Sequence, residues 1–382
     1  MKKNKIIIIL TSLIIFSLQP ILMAKYYAVI DAGSTNSGLY LFDIYGNDKE
    51  VKFKTIPLKK NHRPPGLAHV LPEEMETYFL PLIESLRAGI PEGLKESDID
   101  LYLLATGDMR AVSPFTQEKI FHVIKKYLVK NTKLNVKCAE TMPEEMEGVF
   151  DWICINTLTE KLGSDSNYGV IDIGGATIQV AYAVDNLSEK NTKEVKIGDY
   201  TYFVHSRSYL GIGNDQTREQ FLDNPDCIPK NLALVTTTGN GNFAACLKAV
   251  KSFLISVHNV ESIPPDILKK TKFVGFAYFS YLIDSPPFLL GKEASINEIK
   301  SKAEAFAKLS WEEMVAKWPN DKYLHAYYLG SALTIDLLEI LGFSPDTKIT
   351  TERLYAGIGD SWAIGAAVYF YYGNKLDETL LN

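Results

Sequence analysis

Tyr27-Ala-Val-Ile-Asp31-Ala-Gly33 returns as Tyr168-Gly-Val-Ile-Asp172-Ile-Gly174, with five of seven positions identical and 141 residues between the copies. Each copy is a short apolar, β-branched run that ends in Asp and a small-residue turn. A second alternating strand follows, Gly38-Leu-Tyr-Leu-Phe-Asp-Ile in one copy and Thr177-Ile-Gln-Val-Ala-Tyr-Ala-Val in the other. Such a hairpin places its glycines at a tip where backbone N–H groups converge, a nest that holds phosphate oxygens without a net positive charge. The Asp at the strand end is poised to hold a hard divalent cation, directly or through its water. A single Asp-x-Gly turn reads as an ordinary hairpin. Two at domain spacing predict paired α/β domains that each present one loop to a shared cleft.

The 382 residues are 46% apolar and 23% charged, which excludes a disordered chain and fits about two domains. The formal charge is −6, and without Lys2, Lys3 and Lys5 it becomes −9. That balance excludes a nucleic-acid groove, which needs a basic face. Any anionic substrate must then be met by local cradles or a metal.

Lys2 to Lys5 followed by the apolar run Ile6 to Leu18 reads as a secretory signal ending near Ala24, since about 20 residues are needed to span a bilayer. The expected product is a protein outside the cytoplasm, periplasmic or extracellular, with no stable membrane span after signal removal. Four cysteines in an exported chain permit disulfides in three pairings. Cys227 and Cys246 bracket a turn-rich stretch of the kind a bridge pins, while Cys138 and Cys154 flank an expected helix start and read as buried thiols. Neither pair has metal-ligand spacing, and the six histidines form no HExxH or HxH pair.

Between the repeats, Leu101-Tyr-Leu-Leu leads into Ala105-Thr-Gly-Asp-Met-Arg110, and Ser113-Pro114 starts a helix as N-cap and first helical residue. A strand, a polar loop and a helix start make an anion site to which Thr106 can offer its hydroxyl. Thr141-Met-Pro-Glu144 reads as a capping box, which puts Glu144 and Glu145 in a first helical turn. Glu147 lies further in and precedes Gly148. Glycine inside a helix costs about 1 kcal/mol relative to alanine, so something should approach the backbone closely there.

These segments together resemble the ecto-nucleoside triphosphate diphosphohydrolases, or apyrases, within the actin, hexokinase and sugar-kinase superfamily. DAGSTNSGLY from Asp31 is similar to the family's first conserved motif, ATGDMR from Ala105 to its second, EGVFDWICIN from Glu147 to its third, DIGGATIQVAY from Asp172 to its fourth, and GIGDSWAIG from Gly357 to its fifth. The resemblance covers nearly all the mature chain. It implies an α/β fold of two ribonuclease H-like (actin/hexokinase superfamily) domains facing across an active-site cleft. The expected division is residues 1–24 as signal, 25–165 plus 350–382 as the first lobe, and 166–349 as the second.

The resemblance further implies a secreted, monomeric enzyme that hydrolyses nucleoside tri- and diphosphates to the monophosphate with Ca²⁺ or Mg²⁺. Glu147 is then the base for the attacking water, which Thr177 and Gln179 place. Asp31 and Asp172 hold the metal through water. The phosphates meet Gly33, Ser34, Thr35, Asn36, Ser37, Thr106, Gly174, Gly175 and Ala176. Arg110 is expected to brace its loop, and Tyr323, Tyr327 and Tyr328 to contact the nucleobase. Two positions depart from the family's pattern: Thr177 stands where Ser is common, and Asn36 where many animal members carry His. The extra methyl of Thr177 tightens its pocket. Alternatives on the same fold are an exopolyphosphatase, a kinase-like enzyme, or a non-catalytic nucleotide switch or surface-binding module.

Overall fold

The computed structural model describes residues 25–164, 166–187, 190–351, 353 and 362–376. The expected signal and most of the Gly357-to-Gly365 motif lie outside the described residues. The first sheet combines β1 (Lys25–Ala32), β2 (Ser37–Gly46), β3 (Val51–Ile56), β4 (His62–Arg63), β5 (Ile99–Ala105) and β6 (Asn135–Thr141) in the order β3-β2-β1-β5-β6, with β4 on β2. Strands β1, β2 and β3 pair antiparallel, whereas β1, β5 and β6 run parallel. Helices α1 (Met75–Gly89), α2 (Gly107–Arg110), α3 (Pro114–Asn131) and α4 (Glu144–Leu158) belong to this half of the sequence.

The second sheet contains β7 (Gly169–Ile173), β8 (Thr177–Val184), β9 (Thr192–Ile197), β10 (Tyr200–Leu210), β11 (Phe273–Ala277), β12 (Glu293–Ala294) and β13 (Ile349–Thr351), in the order β12-β13-β11-β7-β8-β10-β9. Its middle repeats the first sheet: β7, β8 and β10 are antiparallel, and β7, β11 and β13 are parallel. The sequence echo is therefore a fold echo. Around this sheet lie α5 (Asn214–Gln220), α6 (Phe243–Ser252), α7 (Pro265–Lys270), α8 (Tyr278–Asp284), α9 (Ile296–Ala307), α10 (Trp311–Lys317) and α11 (Leu324–Leu341), and α12 (Ala363–Tyr371) follows.

Hydrophobic pattern decides the layering. The run Tyr27 to Ile30 is buried because its strand is covered on both faces, while β3 (VKFKTI) alternates and keeps one face wet. Helix α4 is buried from Met146 to Thr157, as expected of a helix without a polar face. It packs on β7, β8 and β10, and α12 packs on both α4 and β1. These two helices fill the core between the sheets, with Gly365 pressed onto the carbonyl of Phe150. Separate cores lie outside each sheet, under α1 and α3 on one side and around α6, α9 and α11 on the other.

Two local expectations meet different ends. Ser113 caps α3 by accepting from the Thr116 N–H at 3.3 Å. Thr141 instead ends β6, and Pro143 occupies the N-cap of α4; the Thr141 hydroxyl donates to Gln117 Oε1 at 2.6 Å. The parallel pairing of β6 with β5 competes with the capping box and wins. Cys227 and Cys246 form a disulfide across 19 residues of sequence, while Cys138 is half-buried and Cys154 is buried outside that bridge. Among the described residues no helix is long and apolar enough to cross a membrane.

Candidate active site

The two repeated turns have the same construction. In the first, Ala32 pairs with Ser37 and the Gly33 N–H donates to the Asn36 carbonyl at 3.0 Å. In the second, Ile173 pairs with Ile178 and the Gly174 N–H donates to the Thr177 carbonyl at 2.9 Å. The turns also lie close together. A Cβ on Gly175 would stand 2.6 Å from Ser34 Oγ of the facing turn and 3.0 Å from Asp215 Oδ2, so a side chain there would have to displace both. Gly66 presses on the Ser34 carbonyl from one side and Gly213 on the Gly175 carbonyl from the other. Asp31 and Asp172 sit two residues before the tips, opposite Gly38 and Gln179 respectively.

Thr106 is buried at the start of α2, and its N–H donates to the Ala32 carbonyl at 3.1 Å. The next residue, Gly107, would place a Cβ 2.6 Å from Thr177 Cγ2. The extra methyl of Thr177 is thus accommodated because position 107 has no side chain. The hydroxyl is left to accept from Gln179 Nε2 at 2.8 Å.

Glu147 is 6% exposed in the first turn of α4, and its Oε2 is 2.9 Å from Arg110 Nη2. Burial pushes the carboxyl above its ordinary range, and the charge and hydrogen bond of Arg110 oppose that push. Arg110 also donates from Nε to the Met142 carbonyl at 3.3 Å and from Nη1 to Ser208 Oγ at 3.1 Å. Gln179 Nε2 reaches the same Ser208 Oγ at 3.2 Å. One network therefore joins Glu147, Arg110, Ser208, Gln179 and Thr177. Gly148 is the close approach anticipated in the sequence: a Cβ there would meet Ser206 Oγ at 2.5 Å and Gln179 Cβ at 3.4 Å. The absent side chain brings the first turn of α4 against β8 and β10.

Not every expected residue reaches this place. Ser37 is fully buried in β2, and its hydroxyl accepts from Tyr78 Oη at 2.9 Å, a packing role. Tyr327 and Tyr328 are both buried, and Tyr327 lines one cavity with Tyr323, Trp318 and Pro286. Tyr327 packs against Phe288 and Phe306, and Tyr328 stands edge-on to Phe243 with its hydroxyl donating to the Asp226 carbonyl at 3.3 Å. Both lie on the buried side of α11, whose apolar stripe is wide enough to absorb them. Tyr323 is 65% exposed beside Trp318 and Asp321. A cavity of about 580 Å³ between the β2–β3 and β9–β10 hairpins lies at the opposite strand ends from both turns.

The model of one nucleotide-hydrolysing family matches this chain from residue 22 to residue 381. The chain belongs to the GDA1/CD39 (nucleoside phosphatase) family. Relatives in that family include Probable apyrase 5 of Arabidopsis thaliana, 25% identical over 90% of this chain and 81% of its own length. A nucleoside-triphosphatase of Pisum sativum is 29% identical over 91% of this chain and 88% of its own length. Among solved structures, a nucleoside triphosphate hydrolase of Neospora caninum superposes with a TM-score of 0.64 at 12% identity, covering 91% of this chain and 92% of its own. A Ppx/GppA family member of Aquifex aeolicus superposes with a TM-score of 0.53 at 16% identity, covering 91% and 98%. At those identities the likeness is one of fold: two ribonuclease H-like domains of the actin/hexokinase type. This GDA1/CD39 member is accordingly an enzyme, a nucleoside phosphatase.

Proposed function

We propose that the chain is an exported, monomeric apyrase that removes terminal phosphate from nucleoside tri- and diphosphates, with lobes formed by 25–165 plus 350–382 and by 166–349. The observation that carries the reading is the state of Gln179. Its amide nitrogen is used twice, while its buried Oε1 has no hydrogen-bond partner among the described residues. A buried acceptor left unpaired costs about 1–3 kcal/mol, which a water donating to it would offset. That water would lie beside the first turn of α4, within the reach of Glu147.

Glu147 takes the proton as the water attacks the terminal phosphorus in line. Burial favours this by holding the carboxyl's proton affinity above that of a solvated glutamate, and Arg110 opposes that rise. With the Gly33 and Gly174 N–H groups closing the turns, the backbone N–H groups of Ser34 to Asn36, Gly175 and Ala176, with the Thr106 hydroxyl, clamp the phosphate oxygens.

A divalent cation, Ca²⁺ or Mg²⁺, fits the donors present. Asp31 and Asp172 supply hard oxygens at matching places, and no group of three or more potential ligands exists among the described residues. The two carboxylates would therefore hold the ion through its waters, as suits a cation that dehydrates reluctantly. When bound, it offsets phosphate charge and that of the leaving group.

The test is phosphate release from ATP, ADP, GTP and polyphosphate, with Ca²⁺, with Mg²⁺ and with chelator. Metal-dependent release from both ATP and ADP is expected. Preference for long-chain polyphosphate, or activity untouched by chelator, would overturn the proposal.

A further inference from the structure

Strand β10 carries two serines on one face, and the function described above uses neither. Ser206 Oγ donates to the Glu145 carbonyl at 2.7 Å and fills the space left by Gly148, which fixes the first turn of α4 against the sheet. Ser208, two residues on, is directly opposite Gln179 in the β8–β10 register, and Gln179 is directly opposite Asp172 in β7. A single cross-strand row, Asp172–Gln179–Ser208, thus runs from the second turn to the network around Glu147. Arg207, between the two serines, points to the other face and pairs with Glu261.

The hydroxyl of Ser208 stands where two arms meet. It accepts from Arg110 Nη1 at 3.1 Å and from Gln179 Nε2 at 3.2 Å. Arg110 comes from α2 beside the first sheet and grips Glu147, whereas Gln179 comes from the second sheet and grips Thr177. With both acceptor positions filled, rotation of the hydroxyl cannot satisfy one partner without losing the other. The distance between Glu147 and the amide of Gln179 is then set by one oxygen atom.

We infer that Ser208 is a positioning residue for the hydrolysis: by bonding Arg110 and Gln179 at once, it locks Glu147 and the Thr177–Gln179 pair into one geometry around the attacking water. The inference rests on the reading of Glu147 as base. Ser208 lies one strand beyond Gln179 from Asp172 and outside both turns, so its effect should fall on turnover and not on binding. A fixed geometry matters because misplacement by about 1 Å costs about a hundredfold in rate. An alanine leaves two donors of a buried network, one of them charged, without their acceptor.

The experiment measures kcat and KM for metal–ATP in the full chain for Ser208→Ala, Ser208→Thr, Glu147→Gln and the double variant Ser208→Ala/Glu147→Gln, with thermal melting of each. Expected are a fall in kcat of at least about tenfold for Ser208→Ala with KM within about twofold, recovery of most of it by Ser208→Thr, and no further loss of kcat in the double variant beyond Glu147→Gln. Wild-type kcat in Ser208→Ala beside an inactive Glu147→Gln would overturn the role of Ser208 alone. A Ser208→Thr as impaired as Ser208→Ala would also overturn it, as would a loss of kcat in the double variant that multiplies with that of Glu147→Gln. Near-normal turnover in Glu147→Gln would overturn the base assignment, and the inference with it.

Discussion

Gly148→Ala separates helix propensity from active-site packing, because the two pull in opposite directions at this position. In an isolated helix the added methyl gains about 1 kcal/mol. Here its Cβ would lie 2.5 Å from Ser206 Oγ, 3.3 Å from Ala181 Cβ and 3.4 Å from Gln179 Cβ. Ordinary contact starts near 3.4 Å, so nearly 1 Å must be found. Rotating Ser206 away gives up its bond to the Glu145 carbonyl, and the two Cβ atoms block further approach. The remaining route is for the first turn of α4 to lift off the sheet, taking Glu147 with it. Overpacking of this kind costs about 1–3 kcal/mol, so net stability should fall by up to about 2 kcal/mol. The displacement of Glu147 should lower kcat by about a hundredfold while KM changes little. Steady-state phosphate release and urea unfolding read both quantities. Adding Ser206→Ala removes the closest contact and should recover part of the activity. A Gly148→Ala protein that is more stable than the parent and turns over normally would refute the close-approach argument.

Two further outcomes follow from buried charges. Glu147 must be ionised to act, burial raises its pKa and Arg110 lowers it; Arg110→Met removes the lowering influence. The acid limb of the kcat–pH profile should therefore move to higher pH, together with a drop in the plateau, and an unmoved or lowered limb would contradict the assignment. Asp336, buried in α11, has its pKa pushed from 3.8 up to about 7 by burial and the nearby Glu339 charge, with Lys251 and Lys300 opposing. The folded state holds this proton more tightly than the unfolded state, so stability is greatest below pH 3.8 as far as this group is concerned and falls as pH rises to about 7. The full shift corresponds to about 4 kcal/mol, and screening reduces this to about 2 kcal/mol. Asp336→Asn should gain about that much at pH 8 relative to pH 4 in chemical unfolding, and a gain of equal size at both pH values would exclude the titration as its cause.

The repeat of Asp31-Ala-Gly33 and Asp172-Ile-Gly174 made the paired sheets legible, since a strand, an acid and a small-residue turn leave few alternatives. The close approach at Gly148, next to Glu147, was legible because a glycine inside a buried helix has no propensity reason to be there. Ser208 was not, because its task depends on the β8–β10 register and on an arginine 98 residues earlier. Neither of the two serines of β10, Ser206 and Ser208, carries a local mark of that register or of that arginine. The burial of Tyr327 and Tyr328 was not legible either: spacing places them on a helix, but only the packing of α11 decides how far their rings are covered. The cap of α4 shifted from Thr141 because strand pairing is a long-range term that a four-residue pattern cannot contain.

The central claim is that Glu147 activates water on a substrate held by other groups. Its most direct measurement compares Glu147→Gln with the parent in single-turnover phosphate release from metal–ATP, alongside equilibrium binding of the same metal–nucleotide. The expected result is a loss of rate of at least about a hundredfold with affinity within about threefold of the parent. A rate near that of the parent, or a loss explained entirely by weakened binding, would contradict it.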